Sequence, residues 1–336
     1  MATDAAAGSS EPDDTGTSTP SPTWKKARRL KLRPDATAED ALAAAVDNAL
    51  DHWGANEACV IARAHEEGVH QMRVATRRLR SRLALYKSVL PEAEVARLQG
   101  ELKWLIAGLG PARDWDVFLG ETWRPVAEAL PDEADLALLG NEAEKRRDRG
   151  YRKAAATLGS RRYRNLRRQL ATWVADRPWR KPGGDHDDGA ASALQQPARR
   201  FASTVIEHRH QSVLALGQSL ADMDPETRHK LRIKIKKLRY AVEFFRSLYS
   251  NNAVNPYVSA LTTLQDALGT MNDLEVAREL MHGLAEQCGG RKRARLAFAG
   301  GLVVGWHLPR VQAVSPLNGS WDSFTQRQPF WDPSDD

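Results

Sequence analysis

Along most of the chain the apolar residues return every three or four positions, and short alternating runs rich in Val, Ile and Thr are missing. That period predicts helices throughout and an all-α fold. Two helix starts carry their own chemistry. In "DATAEDAL" (35–42), Thr37 and Asp40 have the spacing of a capping box, and in "DPETRHKL" (224–231), Pro225 falls in a first turn that needs no backbone N–H from it.

The pattern breaks in three places. Residues 1–34 are rich in Ser, Thr, Pro, Gly and Ala with almost no large apolar side chain, so they are predicted to form a disordered tail. Its basic end, "KKARRLKLRP", reads as solvated flanking charge. A second break, "KPGGDHDDGAAS", has linker composition. It places a linker at 182–192 between a first helical half at 35–181 and a second at 193–312. From 313 to 336 the chain is predicted to be an irregular tail, in which Trp321, Phe324, Phe330 and Trp331 fold back onto something apolar.

Comparing the chain with itself gives the strongest signal. "HQMRVATRRLRS" from His70 aligns with "HKLRIKIKKLRY" from His229, and "LGPARDWDV" (109–117) aligns with "LGTMNDLEV" (268–276) in the same register of 159 residues. Two separate blocks in one register argue for duplication, hence two tandem, pseudo-symmetric helical bundles.

On a helix, His70, Arg73, Arg77 and Arg80 fall at i, i+3, i+7 and i+10, one narrow face over about 15 Å of axis. The second copy carries His229, Arg232, Lys236 and Arg239 on the same face. The apolar stripes lie elsewhere: Met72, Leu79, Leu83, Tyr86 and Leu90, matched by Leu231, Ile235, Leu238, Val242, Phe245 and Tyr249. No acidic residue occurs from His70 to Ser88, so the first stripe cannot be neutralised by partners one turn away. Cations this close repel one another, and a bound polyanion would relieve that repulsion.

The paired motifs "H-x-x-R-x-x-x-[RK]-[RK]-x-R" and "LG-x-x-[RN]-D-x-[DE]-V" closely resemble those of the CHAD domain, the conserved-histidine α-helical domain, over roughly residues 36–310. The resemblance implies two similar four-helix bundles around a central basic cavity that binds inorganic polyphosphate, often at polyphosphate granules, as a binding module rather than a catalyst. Carried over by position, the ligands it implies are His70, Arg73, Arg77, Arg78 and Arg80, with His229, Arg232, Lys236, Lys237 and Arg239 in the second half. Arg113 is a further candidate, replaced by Asn272 in the second copy. Arg161, Arg162, Arg293 and Arg295, late in each half, are candidates for a second basic wall.

Net charge and pI fit an anionic partner: the chain carries a formal +6 with pI near 9.4. Polyphosphate has no bases, so its recognition rests on phosphate oxygens, to which arginine forks offer two parallel donors and lysine a mobile point charge. Cys59 and Cys288 stand in no metal-ligand spacing and read as inert thiols of a reducing compartment. The longest apolar run, 296–306, is about half a spanning helix, and no secretory leader is read, so no membrane contact and a cytoplasmic location, at polyphosphate granules, are expected. No cofactor is predicted.

Two rival functions are weighed. A polyphosphate or triphosphate hydrolase would need metal-binding carboxylates or a Gly-rich phosphate loop. The tunnel enzymes that accompany this family's domain carry an E-x-E-x-K strand motif, whereas "EAEKRR" (142–147) lies on helical spacing. Asp114, Asp116, Asp273 and Glu275 read as caps or as partners that orient cations, and "HEEGVH" (65–70) spaces its histidines five apart, wrong for a zinc helix. A nucleic-acid binder should interleave aromatics with the cations, and these stripes do not. A scaffolding role that recruits granule-associated proteins through the tails stays open alongside ligand binding.

Overall fold

The computed structural model describes residues 21–180, 188–218, 223–268, 270–312 and 317–331. Among these residues there is no strand, and the chain runs through α1 (Ala38–Ile61), α2 (Glu66–Leu83), α3 (Glu92–Val117), a π-helical stretch (Phe118–Trp123), α4 (Arg124–Ala129), α5 (Ala134–Gly159), α6 (Arg161–Asp176), α7 (Asp188–Gln195), α8 (Ala198–Gly217), α9 (Pro225–Phe245), α10 (Asn251–Ala267), α11 (Thr270–Glu286), α12 (Gly290–Gln312) and α13 (Leu317–Thr325). The all-α expectation holds.

Local chemistry sets several starts. The Thr37 hydroxyl accepts from the Asp40 N–H while the Asp40 carboxylate accepts from the Thr37 N–H, both at 3.2 Å, closing the predicted capping box of α1. Asp224 caps α9 by accepting from the Thr227 N–H, with Pro225 in the first turn. His65 caps α2, its Nδ1 accepting from the Glu67 N–H at 3.0 Å. Both basic helices end before their predicted apolar stripes do. Tyr86 and Leu90 sit buried in the turn after α2, where the Tyr86 hydroxyl donates to the Ala38 carbonyl.

Neither half of the repeat encloses a core of its own. One apolar core runs from α1, α2 and α3 through α5 and α6 into α8, α9 and α10, with Trp53, Tyr86, Phe201 and Phe245 inside it. A second joins the end of α3, the π-helical stretch, α4 and the start of α5 to α11 and α12 of the other half. Related elements also meet at the helix starts, where Ala38 N–H donates to the Gln196 carbonyl at 3.0 Å and Ala198 N–H to the Ala36 carbonyl at 2.8 Å. Within the first half, α3 and α5 approach closely: a Cβ on Gly150 would stand 2.6 Å from the Ala112 backbone nitrogen.

The three pattern breaks are more structured than their composition predicts. Residues 21–34 form an extended arm laid along α1. The Lys25 N–H donates to Asn56 Oδ1, the Lys25 carbonyl accepts from Asn56 Nδ2, the Arg28 carbonyl accepts from Asn48 Nδ2, and the Leu32 N–H donates to Ser247 Oγ. One buried leucine, Leu32, and polar side chains of the helices replace the apolar surface that the segment lacks. Residues 1–20, the rest of the predicted tail, lie outside the described residues. Helix α7 overlaps the predicted linker at 182–192, of which 182–187 lie outside the described residues. The carboxy-terminal segment expected to be irregular forms α13 and buries Phe324 and Trp331, as the aromatic residues foreshadowed. Their rings pack against His210 and Tyr257.

Candidate functional site

Helices α2 and α9, which carry the duplicated stripes, pack against each other. Beside their contact lies a hollow of about 590 Å³. Arg77 and Arg80 of α2, Lys87 from the turn that follows, Lys236 and Lys237 of α9 and Arg209 of α8 line it, with Glu92 as the one carboxylate. Glu92 stands 3.8 Å from Lys87, so it neutralises little of the rest. Arg80 is fixed at the wall, its Nε donating to Gln99 Oε1 at 3.2 Å while Gln99 Nε2 donates back to the Arg80 carbonyl at 2.8 Å. The Arg77 Nε is buried without a hydrogen-bond partner, and among the described residues neither Arg77 nor Lys237 has a carboxylate partner. Cations crowded at low dielectric raise each other's energy, so the hollow is built to take negative charge.

A second hollow, about 450 Å³, opens on the other side of the α2–α9 contact and holds His70, Arg78 and Arg82 of α2 with Glu243, Phe244 and Arg246 at the end of α9. Tyr240 borders both hollows. The register of 159 residues relates the two linings: Arg78 corresponds to Lys237, Val74 to Ile233, Ser81 to Tyr240, Ala84 to Glu243 and Lys87 to Arg246. In place of the predicted single cavity, the cations of the two helices border two hollows that share several repeat positions, while the counterparts Arg77 and Lys236 both line the first. A helix face that repeats every 3.6 residues spreads its side chains to both flanks of the partner helix that crosses it.

The remaining sequence candidates are placed differently. Arg73 turns to α3, its Nη2 donating to Asp114 Oδ1 at 3.4 Å, and lines neither hollow. Arg113 stands 3.5 Å from Glu121. Arg239 is held by Glu243 at 2.9 Å and Gln265 at 3.0 Å, with its guanidinium over the Tyr240 ring. Arg232 keeps a buried Nε without a hydrogen-bond partner, His229 is exposed, and neither lines a hollow. The second basic wall does not form there. Arg162 is paired with Glu101 and stacked over Trp104, Arg161 is exposed beside it, Arg295 is paired with Asp135, and Arg293 is exposed. These four start helices whose first turns lie away from the α2–α9 contact, and the local acids claim two of them.

Acidic residues orient rather than assemble. Asp114 takes Arg73, and buried Asp116 accepts from the Tyr151 hydroxyl at 2.9 Å. Burial pushes the Asp116 carboxyl up to about 6, and raises Asp114 as well against the pull of Arg73 and Arg113. Glu275 is exposed and lies against Arg278, while the side chains of Asn272 and Asp273 lie outside the described residues. Among the described residues no three His, Cys, Asp or Glu side chains are grouped as a metal site would require. Burial lowers the His70 pKa below the usual imidazole range, and Arg113, Arg77 and Arg73 lower it further against Glu67. Desolvation likewise pulls the Arg82 guanidinium down to about 10, with Arg78 beside it adding to the effect.

Several lining residues escape a reading by stripe. Lys87 and Arg246 correspond in the repeat, so extending the alignment past the helix would have found them. Arg209 has no such signal, since its counterpart position is Leu50. The arm residues Lys26, Arg28 and Arg29 line the second hollow only because residues 21–34 fold back along α1.

Comparison with known proteins places the geometry. The CHAD domain family model matches residues 44–282. The crystal structure of the CHAD domain from the plant Ricinus communis superposes with a TM-score of 0.75 at 32% identity, covering 91% of this chain and 98% of that one. PptA from Streptomyces chartreusis shares the fold, with a TM-score of 0.57 at 16% identity over 87% of this chain and 99% of that one. An uncharacterised protein of Mycobacterium tuberculosis, found in two strains, is 30% identical over 217 residues, which is 63% of this chain and 39% of the relative. The chain therefore spans about two fifths of the length of that curated relative.

Proposed function

The chain belongs to the CHAD domain family, and from that membership together with the cationic hollow we propose that it binds inorganic polyphosphate without turning it over, and thereby associates with polyphosphate granules. The observation that carries this reading is the hollow between α2, α3, α8 and α9, where cations contributed by both copies of the repeat face one another with a single carboxylate among them. A linear phosphate polymer offers only oxygens and charge. Arg77 and Arg80 supply planar forks to such oxygens, and Lys236 and Lys237 supply point charges that follow the chain. Binding then draws on charge neutralisation and counterion release, and weakens steeply with salt.

The reading is one of binding because Glu92, the carboxylate among the described residues of the first hollow, lies against Lys87, and Asp114 behind it lies against Arg73. It favours inorganic polymer over nucleic acid because Tyr240 is the one aromatic ring of the first hollow, and the Arg239 guanidinium lies over that ring. No helix among the described residues is long and apolar enough to cross a membrane.

Size-fractionated polyphosphate, titrated into wild type and an Arg77→Ala/Lys237→Ala double variant across a salt series, tests the proposal. Wild type is expected to bind with a steep salt slope, the variant at least tenfold more weakly. Long-chain polyphosphate should displace labelled DNA, and DNA should fail to displace polyphosphate. Undiminished affinity in the double variant, or DNA that competes on equal terms, would sink the reading.

A further inference from the structure

We propose that the hollow behind the amino-terminal arm is a second polyphosphate-binding site, and that one polymer occupies both hollows, passing Tyr240 on its way. This inference rests on the polyphosphate reading and adds to it a wall of arm residues, Lys26, Arg28 and Arg29, that precedes the family match beginning at residue 44.

Three observations carry it. Several positions of the duplication are shared between the two hollows, so Arg78 stands in the second where Lys237 stands in the first, and Arg246 where Lys87 stands. At one of these places the second hollow carries a negative charge that the first lacks, because Glu243 corresponds to Ala84. That carboxylate is engaged, accepting from Arg239 Nη1 at 2.9 Å. The arm more than restores the balance by bringing in Lys26, Arg28 and Arg29, so that six cationic side chains of the second hollow again face one carboxylate.

The arm is placed by its backbone and leaves its charges free to point outward. Asn48 and Asn56 of α1 hold the carbonyls of Arg28 and Lys25, Leu32 is buried, and the side chains of Lys26, Arg28 and Arg29 are exposed. Among the described residues, no carboxylate pairs with these three or with Arg78. Arg82 at the back of the hollow donates to Asn48 Oδ1 and has the Phe244 ring beneath it. Cations fixed by a scaffold, unpaired and partly desolvated, match a ligand that brings several negative charges at once. Because Tyr240 borders both hollows, a chain held in one has only that residue to pass to reach the other, and the second contact becomes intramolecular.

A Lys26→Ala/Arg28→Ala/Arg29→Ala variant tests this against wild type and the Arg77→Ala/Lys237→Ala variant, with tripolyphosphate and a polyphosphate of about 100 units as probes. Exposed side chains are removed, so the melting temperature should not move. For the arm variant the long chain should bind about tenfold or more weakly, with the salt slope reduced by about 2 for three lost phosphate contacts, while tripolyphosphate stays within twofold. The Arg77→Ala/Lys237→Ala variant should weaken both probes. Unchanged long-chain affinity and slope in the arm variant would overturn the two-site proposal and leave the first hollow standing, as would equal losses for the short and long probes. An Arg77→Ala/Lys237→Ala variant that loses nothing overturns the underlying reading instead.

Discussion

Arg73 of α2 and Asp114 of α3 are joined across the helix pair, Nη2 to Oδ1 at 3.4 Å, with Arg73 Nη1 also 3.5 Å from the Ile106 carbonyl. Both are motif residues, one from each block of the first repeat, and their contact locks the basic helix to the helix behind it. Arg73 thereby holds α2 against α3. Gly110 makes room for it, since a Cβ there would stand 3.0 Å from Arg73 Nη1.

Arg73→Ala should therefore cost stability first and affinity second. Loss of a charge-assisted pair with only 16% of the arginine side chain exposed predicts destabilisation of about 1 to 2 kcal/mol in urea unfolding. Its polyphosphate affinity should fall less than that of Arg77→Ala. The reverse order of the two affinities would return Arg73 to the binding surface.

The depressed pKa of His70 makes two measurements move in opposite directions with pH. The folded pKa lies below the unfolded value near 6.5, so the neutral ring's contribution to stability is present above that value and is lost as pH falls through the window beneath it. Burial of His52 and His210 acts in the same sense and the raised Asp116 carboxyl in the opposite one, so the test is a difference: from pH 7.5 to 5.5 the wild-type melting temperature should fall relative to that of His70→Gln. Arg113, Arg77 and Arg73 now hold the ring neutral against Glu67, and Lys26, Arg28, Arg29, Arg78, Arg82 and Arg246 line the hollow beside it. A bound polyanion screens these cations and favours the imidazolium, so affinity should rise from pH 8 to 6. His70→Gln should flatten that rise, which calorimetry in buffers of different ionisation enthalpy would register as lost proton uptake.

Arg82→Met separates stability from binding. The change removes a desolvated cation beside Arg78 and keeps an apolar stem against Phe244. Replacement of a poorly compensated buried charge by an apolar side chain is often neutral or stabilising. The variant should melt at or above the wild-type temperature while binding long-chain polyphosphate several-fold more weakly.

Gly150→Ala tests the close approach of α3 and α5. The new Cβ would press on the Ala112 and Pro111 backbone, which cannot rotate away as a side chain can. Overpacking of this kind costs about 1 to 3 kcal/mol. A chemical-denaturation midpoint equal to that of wild type would show that the helices separate freely.

Some of this molecule was legible in its residues. Helical period, the Thr37–Asp40 capping box, Pro225 in a first turn and the apolar faces of α2 and α9 are properties of residues close in sequence, where local geometry decides. The repeat register also relates part of the two linings, pairing Arg78 with Lys237, Ala84 with Glu243 and Lys87 with Arg246. What the residues alone did not decide was direction and company. Whether a cation on a stripe faces a hollow or an acid depends on which helix crosses it, and that is set by packing between residues distant in sequence: Arg77 shares a hollow with Lys236 of the other half, whereas Arg73 meets Asp114, 41 residues on. The arm was misread for the same reason. Its composition cannot bury a core of its own, yet Asn48, Asn56 and Ser247, far along the chain, supply the hydrogen bonds that hold it. Local pattern determined the helices, and the tertiary fold determined which charges remain for a ligand, because neutralisation depends on distance in space and not on spacing in sequence.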